Sequence, residues 1–143
     1  MEVIVFADSN IFLDAFLKRE PHHEACLNIL SLARNRKIKL YTSSSCLLTV
    51  IYFLKKDGMS NENIVIAVSR LLDFIPLISP DENIFIAGLA AGFPDLEDAV
   101  QFYTALQIKG IDYFITSNTR DYKKATPQLP VITPKQFMVL YNK

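Results

Sequence analysis

Five consecutive apolar residues, Val3 to Ala7, run directly into Asp8-Ser9-Asn10. The run includes β-branched Val3, Ile4 and Val5 and has no polar face. That fits a strand covered on both sides, as in a parallel sheet. Asp8, Ser9 and Asn10 are all helix-capping types, and Ile11, Phe12, Ala15 and Phe16 follow at helical spacing. The chain therefore places a carboxylate where a buried strand gives way to a helix. A second such junction is Phe114-Ile115-Thr116, which ends in the polar turn Ser117-Asn118-Thr119-Arg120-Asp121.

Between these junctions, helical and extended patterns alternate. From His22, apolar positions at Ala25, Cys26, Ile29, Leu30 and Ala33 mark an amphipathic helix. It closes in Arg34, Arg36 and Lys37, cations favoured by the negative end of the helix dipole. Ile38 to Tyr41 reads as a second strand. Cys46 to Lys55 reads as a helix that is apolar nearly all round, so it is expected inside the protomer or across a dimer contact. Ser60 caps a further helix. Pro76 demotes Phe74–Leu77 from any central strand position. Ser79-Pro80-Asp81-Glu82 signals a helix start, with Ser79 as the cap. Asp95 is expected to cap the helix that carries Asp98, and Gly110 to stop it. Pro130 to Ile132 is a last short strand, and Thr133-Pro134-Lys135-Gln136 starts the closing helix. Alternating strands and helices predict an α/β protein with a mostly parallel sheet. No repeat or linker divides residues 1–143, so one domain is expected.

Composition narrows the classes. The chain has 143 residues, half of them hydrophobic and 21% charged, which excludes a mainly disordered chain. No apolar run reaches the ~18–20 residues of a membrane span. Met1-Glu2 leads straight into the first strand with no basic region or cleavage site, so no signal peptide is expected. Cys26 and Cys46 lack metal-ligand spacing and read as buried thiols of a cytoplasmic protein. The formal net charge is zero, which argues against tight, sequence-blind binding of nucleic acid. Basic residues still cluster at Arg34, Arg36, Lys37 and Lys39, and recur at Lys109, Arg120, Lys123 and Lys124. A solvated basic face explains them equally well.

In open parallel sheets, sites form outside the carboxyl ends of the strands. Asp8 and Asp121 lie at such ends, and Asp98 lies in the first turn of the helix leading to the second. Three carboxylates brought together stay ionised only with a cation among them. Hard oxygen donors without His or Cys suit Mg²⁺ or Mn²⁺. Each acid also has an ordinary explanation. Asp8 caps a helix, Asp95, Glu97 and Asp98 suit the positive end of a helix dipole, and Asp121 suits a turn.

Taken in order, these stretches resemble the PIN domain, the fold of VapC-type toxins and other metal-dependent ribonucleases. Phe6-Ala7-Asp8-Ser9-Asn10-Ile11-Phe12-Leu13-Asp14 is similar to the family's opening strand, ligand Asp and following Asn. Asp95-Leu96-Glu97-Asp98-Ala99-Val100-Gln101 is similar to its central acidic helix start, with Asp98 in the ligand position. Ile115 to Tyr122 is similar to its terminal motif, where Thr116, Asn118 and Asp121 match site residues. Ile132 to Phe137 is similar to its closing strand and helix. The likeness covers essentially the whole chain. It departs at one ligand: the family usually places a Glu on the helix after the second strand, and Thr49 stands about there. A mid-helix Thr can equally bond back to the carbonyl one turn earlier.

The resemblance implies a three-layer α/β/α sandwich and a Mg²⁺- or Mn²⁺-dependent endoribonuclease acting on single-stranded RNA. It implies the toxin half of a toxin–antitoxin pair, with a cognate antitoxin as partner and a homodimer as its assembly. Asp8, Asp98 and Asp121 would hold the metal, and Asn10, Thr116 and Asn118 would orient the water or phosphate. Asp95 or Glu97 would make up the charge missing at Thr49. The alternative is a PIN-like module with an impaired site, kept for binding RNA or a protein partner. A CheY-like doubly wound domain is a weaker fit, because the acid on the late turn has no place in it.

Overall fold

The structure is a computed structural model and describes residues 2–123, 125 and 127–143. Met1 and Lys124, both used in the sequence reading, lie outside the described residues. The central sheet has five strands: β1 (Val3–Ala7), β2 (Ile38–Ser43), β3 (Leu77–Ile78), β4 (Tyr113–Ile115) and β5 (Val131–Ile132). They run in the order β3-β2-β1-β4-β5, and every neighbouring pair is parallel. β1 is central, as its two-sided apolar run predicts. Its alternation divides the core. Val5 and Ala7 point into one apolar cluster, and Phe6 points into the other with Phe114. Helices cover both faces, so the expected α/β/α layering is what the chain adopts. Pro76 precedes β3, which forms the sheet edge, where a missing N–H is tolerated.

The first face is covered by α1 (Ser9–Phe16), α2 (His23–Arg34), α3 (Ser44–Lys56), α4 (Asn61–Leu72) and α7 (Pro134–Tyr141). The second carries α6 (Leu96–Leu106) and the short 3₁₀ turn Thr119–Tyr122, with α5 (Glu82–Leu89) packed on α6. Gly88 makes that packing close. A Cβ there would sit 2.9 Å from the Val100 Cα, so α5 and α6 approach more tightly than any side chain at position 88 permits.

Most helix starts follow their capping chemistry. Ser60 accepts from the Asn63 N–H, and Asp95 accepts from the Asp98 N–H. Thr133 and Gln136 form a reciprocal capping box with Pro134 at the first helical position. The start of α5 is a correction. Its cap is Asp81, whose side chain accepts from the Ile84 N–H, while the Ser79 hydroxyl pairs with that of Ser44. Asp81 wins because its carboxylate suits the dipole better than a neutral hydroxyl. The expected burial of α3 holds for one face. Leu47, Val50 and Leu54 are buried and Ile51 is partly buried, but Leu48 is 66% and Tyr52 61% exposed. Both cysteines are buried and free. Among the described residues, no helix is long and apolar enough to cross a membrane.

Candidate active site

Asp8 is the residue on which the site is built. It follows β1, is 5% exposed, and caps α1 by accepting from the Ser9 N–H at 2.8 Å. Its Oδ1 also receives the Cys46 thiol at 3.9 Å. Its Oδ2 accepts from the Thr116 hydroxyl at 3.1 Å and from the Tyr122 hydroxyl at 2.9 Å. Four donors thus surround one carboxylate. Burial still pushes its pKa above the ordinary value, with the nearby Asp95 charge adding to the shift.

Thr116 and Asn10 are consumed in holding this arrangement. Thr116 is fully buried. Its hydroxyl donates to Asp8 and accepts from the Asn10 amide at 3.0 Å and the Asn118 N–H at 3.2 Å. Asn10 Oδ1 accepts from the Ser117 N–H at 3.0 Å. A hydroxyl has one donor and two acceptor sites, and Thr116 uses all three. These two side chains therefore orient Asp8 rather than reach outward to a water or phosphate. Beside them, Ser117 Oγ donates to Asp14 at 2.5 Å, and Asp14 is also paired with Arg19 at 2.8 Å.

Asp98 comes to the site from the first turn of α6. Its pKa is raised to about 7, first by burial and then by the charges of Asp8, Asp95 and Asp121. That electrostatic coupling shows that α6 delivers Asp98 to the same field as the other acids. Asp98 also lies within hydrogen-bonding reach of the Tyr122 hydroxyl. A protonated Asp98 can donate to the phenol oxygen while the phenol donates to Asp8. Tyr122 itself is held far above its ordinary pKa by burial and by Asp8 and Asp98, so it stays a neutral donor.

One turn along α6, Gln101 is buried and clasps the start of α3. It accepts from Ser43 Oγ at 2.6 Å and donates to Ser45 Oγ at 2.5 Å. Ser43 also caps α3 by accepting from the Cys46 N–H. This bridge fixes the face of α6 that carries Asp98 against the end of β2. An open cleft of about 400 Å³ lies there, lined by Asp8, Asp98, Glu97, Thr49, Phe85 and Leu96 among others. Thr49 thus sits in the cleft, with its hydroxyl donating to the Ser45 carbonyl at 3.2 Å. Both of its expected descriptions hold together. Glu97 and Asp95 are exposed, and Asp95 is occupied as the α6 cap. Asp121 is partly buried and accepts from the Asn118 amide at 2.5 Å.

Comparison with known proteins was made on this frame. The PIN domain family profile matches residues 4–120, most of the chain. The chain belongs to the PIN domain family. It is 27% identical to Ribonuclease VapC1 of Aquifex aeolicus (strain VF5), over 96% of this chain and 95% of that protein. Its fold is similar to a toxin–antitoxin complex structure from Klebsiella pneumoniae, with a TM-score of 0.66 and 22% identity over 91% of this chain and 97% of that one. It is similar also to VapBC2 from Rickettsia felis bound to a DNA fragment from their promoter, with a TM-score of 0.67 and 19% identity over 92% and 98% of the two chains.

Within this PIN domain, the fitness of the site for a cation can be judged from its donors. Asp8 and Asp98 offer hard carboxylate oxygens, and their mutual repulsion is what a divalent cation relieves. Among the described residues, no three or more His, Cys, Asp or Glu side chains are gathered closely enough to form a ready metal cage. Asp121 points to Asn118, and Thr49 contributes a neutral hydroxyl. The residues fit a hard divalent cation held chiefly by Asp8 and Asp98. Sequence reasoning missed Tyr122 and Gln101. The only signal for Tyr122 was its place beside Asp121. Gln101 was quoted as part of the acidic helix motif without a role.

Proposed function

We propose that this PIN domain is a metal-dependent endoribonuclease that cleaves single-stranded RNA, and that it is the toxin of a toxin–antitoxin pair. The carrying observation is the Asp8–Asp98 pair. Two mutually repelling carboxylates, from the end of β1 and the start of α6, face an open cleft. Bound Mg²⁺ or Mn²⁺ would supply water activation and polarisation of a phosphoryl oxygen. Asp8 and Asp98 would hold the ion, and Asp121 would add negative charge from the β4 turn. Thr116, Asn10 and Tyr122 keep Asp8 oriented. Asn118 holds Asp121, and Asp95 and Glu97 add charge at the mouth. The relatives named above support the ribonuclease and the toxin–antitoxin pairing. The antitoxin would be a separate small protein.

Exposed Leu48 and Tyr52 on α3 and Phe85, Ile86 and Leu89 on α5 form apolar surface of the kind that pairs in a homodimer. Two buried free thiols suit a cytoplasmic protein. The test is cleavage of an unstructured RNA oligonucleotide. Wild-type protein is expected to cut it with Mn²⁺ and not with EDTA, and Asp8→Asn to abolish cutting while the protein remains folded. Thr49 favours a second reading, a PIN module that binds without cutting. That reading requires RNA retention by the wild type with no cleavage at any Mn²⁺ concentration.

A further inference from the structure

The Tyr122 ring is locked in place. It is 4% exposed and packs against Phe114 with centroids 4.9 Å apart, against Phe93 edge-on at 5.8 Å, and against Phe102 at 6.4 Å. Its hydroxyl is therefore a fixed point and not a mobile contact. It donates to Asp8 Oδ2 at 2.9 Å and faces Asp98 as well. Among the four donors on Asp8, it alone also reaches Asp98. The Ser9 N–H belongs to the α1 backbone, the Thr116 hydroxyl is tied to Asn10 and Asn118, and the Cys46 contact is long and weak.

A carboxylate oxygen has two lone pairs, and Asp8 Oδ2 spends both, on Thr116 and Tyr122. A cation shared by Asp8 and Asp98 must lie between them, where this phenol already sits. We propose that Tyr122 is a positioning residue whose hydroxyl joins Asp8 to Asp98 in the metal-free protein and must yield when a divalent cation binds the pair. The hydroxyl stands in for the cation, keeping two like charges in register at the cost of metal affinity. With Thr49 supplying no charge, both features set the site toward weak binding. This rests on the reading of Asp8 and Asp98 as the cation site.

The test compares wild type, Tyr122→Phe and Phe93→Leu by Mn²⁺ affinity, read from the electron paramagnetic resonance signal of free Mn²⁺, and by melting temperature without metal. Tyr122→Phe keeps the ring and removes the hydroxyl. It is expected to lower the metal-free melting temperature by a few degrees and to tighten Mn²⁺ binding about tenfold, the worth of one hydrogen bond to a charged group. Phe93→Leu loosens the ring and keeps the hydroxyl, so it should lose stability with no gain in affinity. Unchanged or weaker Mn²⁺ binding by Tyr122→Phe overturns the proposal while leaving the cation site standing. Equal tightening by Phe93→Leu also overturns it, because packing would then be the cause. If neither the wild type nor Tyr122→Phe binds Mn²⁺, the cation site itself falls, and the proposal with it.

Discussion

Asp98→Asn is expected to melt higher than the wild type at pH 8 without metal, and to gain nothing from Mn²⁺. The folded Asp98 has a pKa near 7 against an ordinary 3.8, so between those values the folded state holds more protons than the unfolded one. The stability this group contributes is complete below its unfolded pKa and is lost as the pH rises through about 7. Asn is nearly isosteric and carries no charge, so it escapes that loss. Asp98 is only partly buried and solvent screens part of the effect, which leaves on the order of 1–2 kcal/mol, or a few degrees in melting temperature. Cation binding works in the opposite direction. In the wild type, Mn²⁺ at about a hundred times its Kd should add about 2.7 kcal/mol by mass action, and Asp98→Asn should forfeit it. RNA cleavage by the variant should fall to that of metal-free protein. Thermal melts at pH 5 and pH 8, with and without Mn²⁺, read all of this. Equal melting of the two proteins at pH 8 without metal would mean that Asp98 is not under repulsion.

The second large effect is expected from Thr49→Glu. Thr49 lines the cleft with Asp8 and Asp98, and its hydroxyl is occupied only by the Ser45 carbonyl of its own helix. A carboxylate there adds one anionic donor facing the pair. Without metal it should lower the melting temperature by several degrees, because another acid joins a cluster that already repels itself. With Mn²⁺ the sign should reverse, with tighter binding and faster cleavage of single-stranded RNA. A Glu buried away from the site would destabilise the protein equally in both conditions, through the cost of an unpaired buried charge. A fully solvated one would change neither.

Much of the frame could be read from sequence because it rests on local patterns. The two-sided apolar run Val3–Ala7 marked the central strand, since only a covered parallel strand tolerates it. Asp95 and Thr133 marked helix starts through capping chemistry, which acts within four residues. Pro76 marked the sheet edge through its missing donor. What failed, or could not be seen, depends on tertiary placement. The all-round apolarity of α3 indicates that its faces avoid water in the assembly, and it does not say which face the protomer covers. Leu48 and Tyr52 are left outside. Tyr122 reads in sequence as one more core aromatic. Its hydroxyl matters only because the turn after β4 aims it at Asp8, 114 positions earlier. Thr116 and Asn10 matched site positions, yet their hydrogen bonds go to Asp8 and to each other's neighbours, which spacing could not reveal.

The most direct test of the cation site is anomalous diffraction from crystals of the wild-type protein soaked in Mn²⁺. A peak is predicted within coordination distance of both Asp8 and Asp98, with the Tyr122 hydroxyl withdrawn from Asp8. No peak between those two carboxylates at saturating Mn²⁺, or a peak bound elsewhere with the Tyr122–Asp8 hydrogen bond intact, would contradict it.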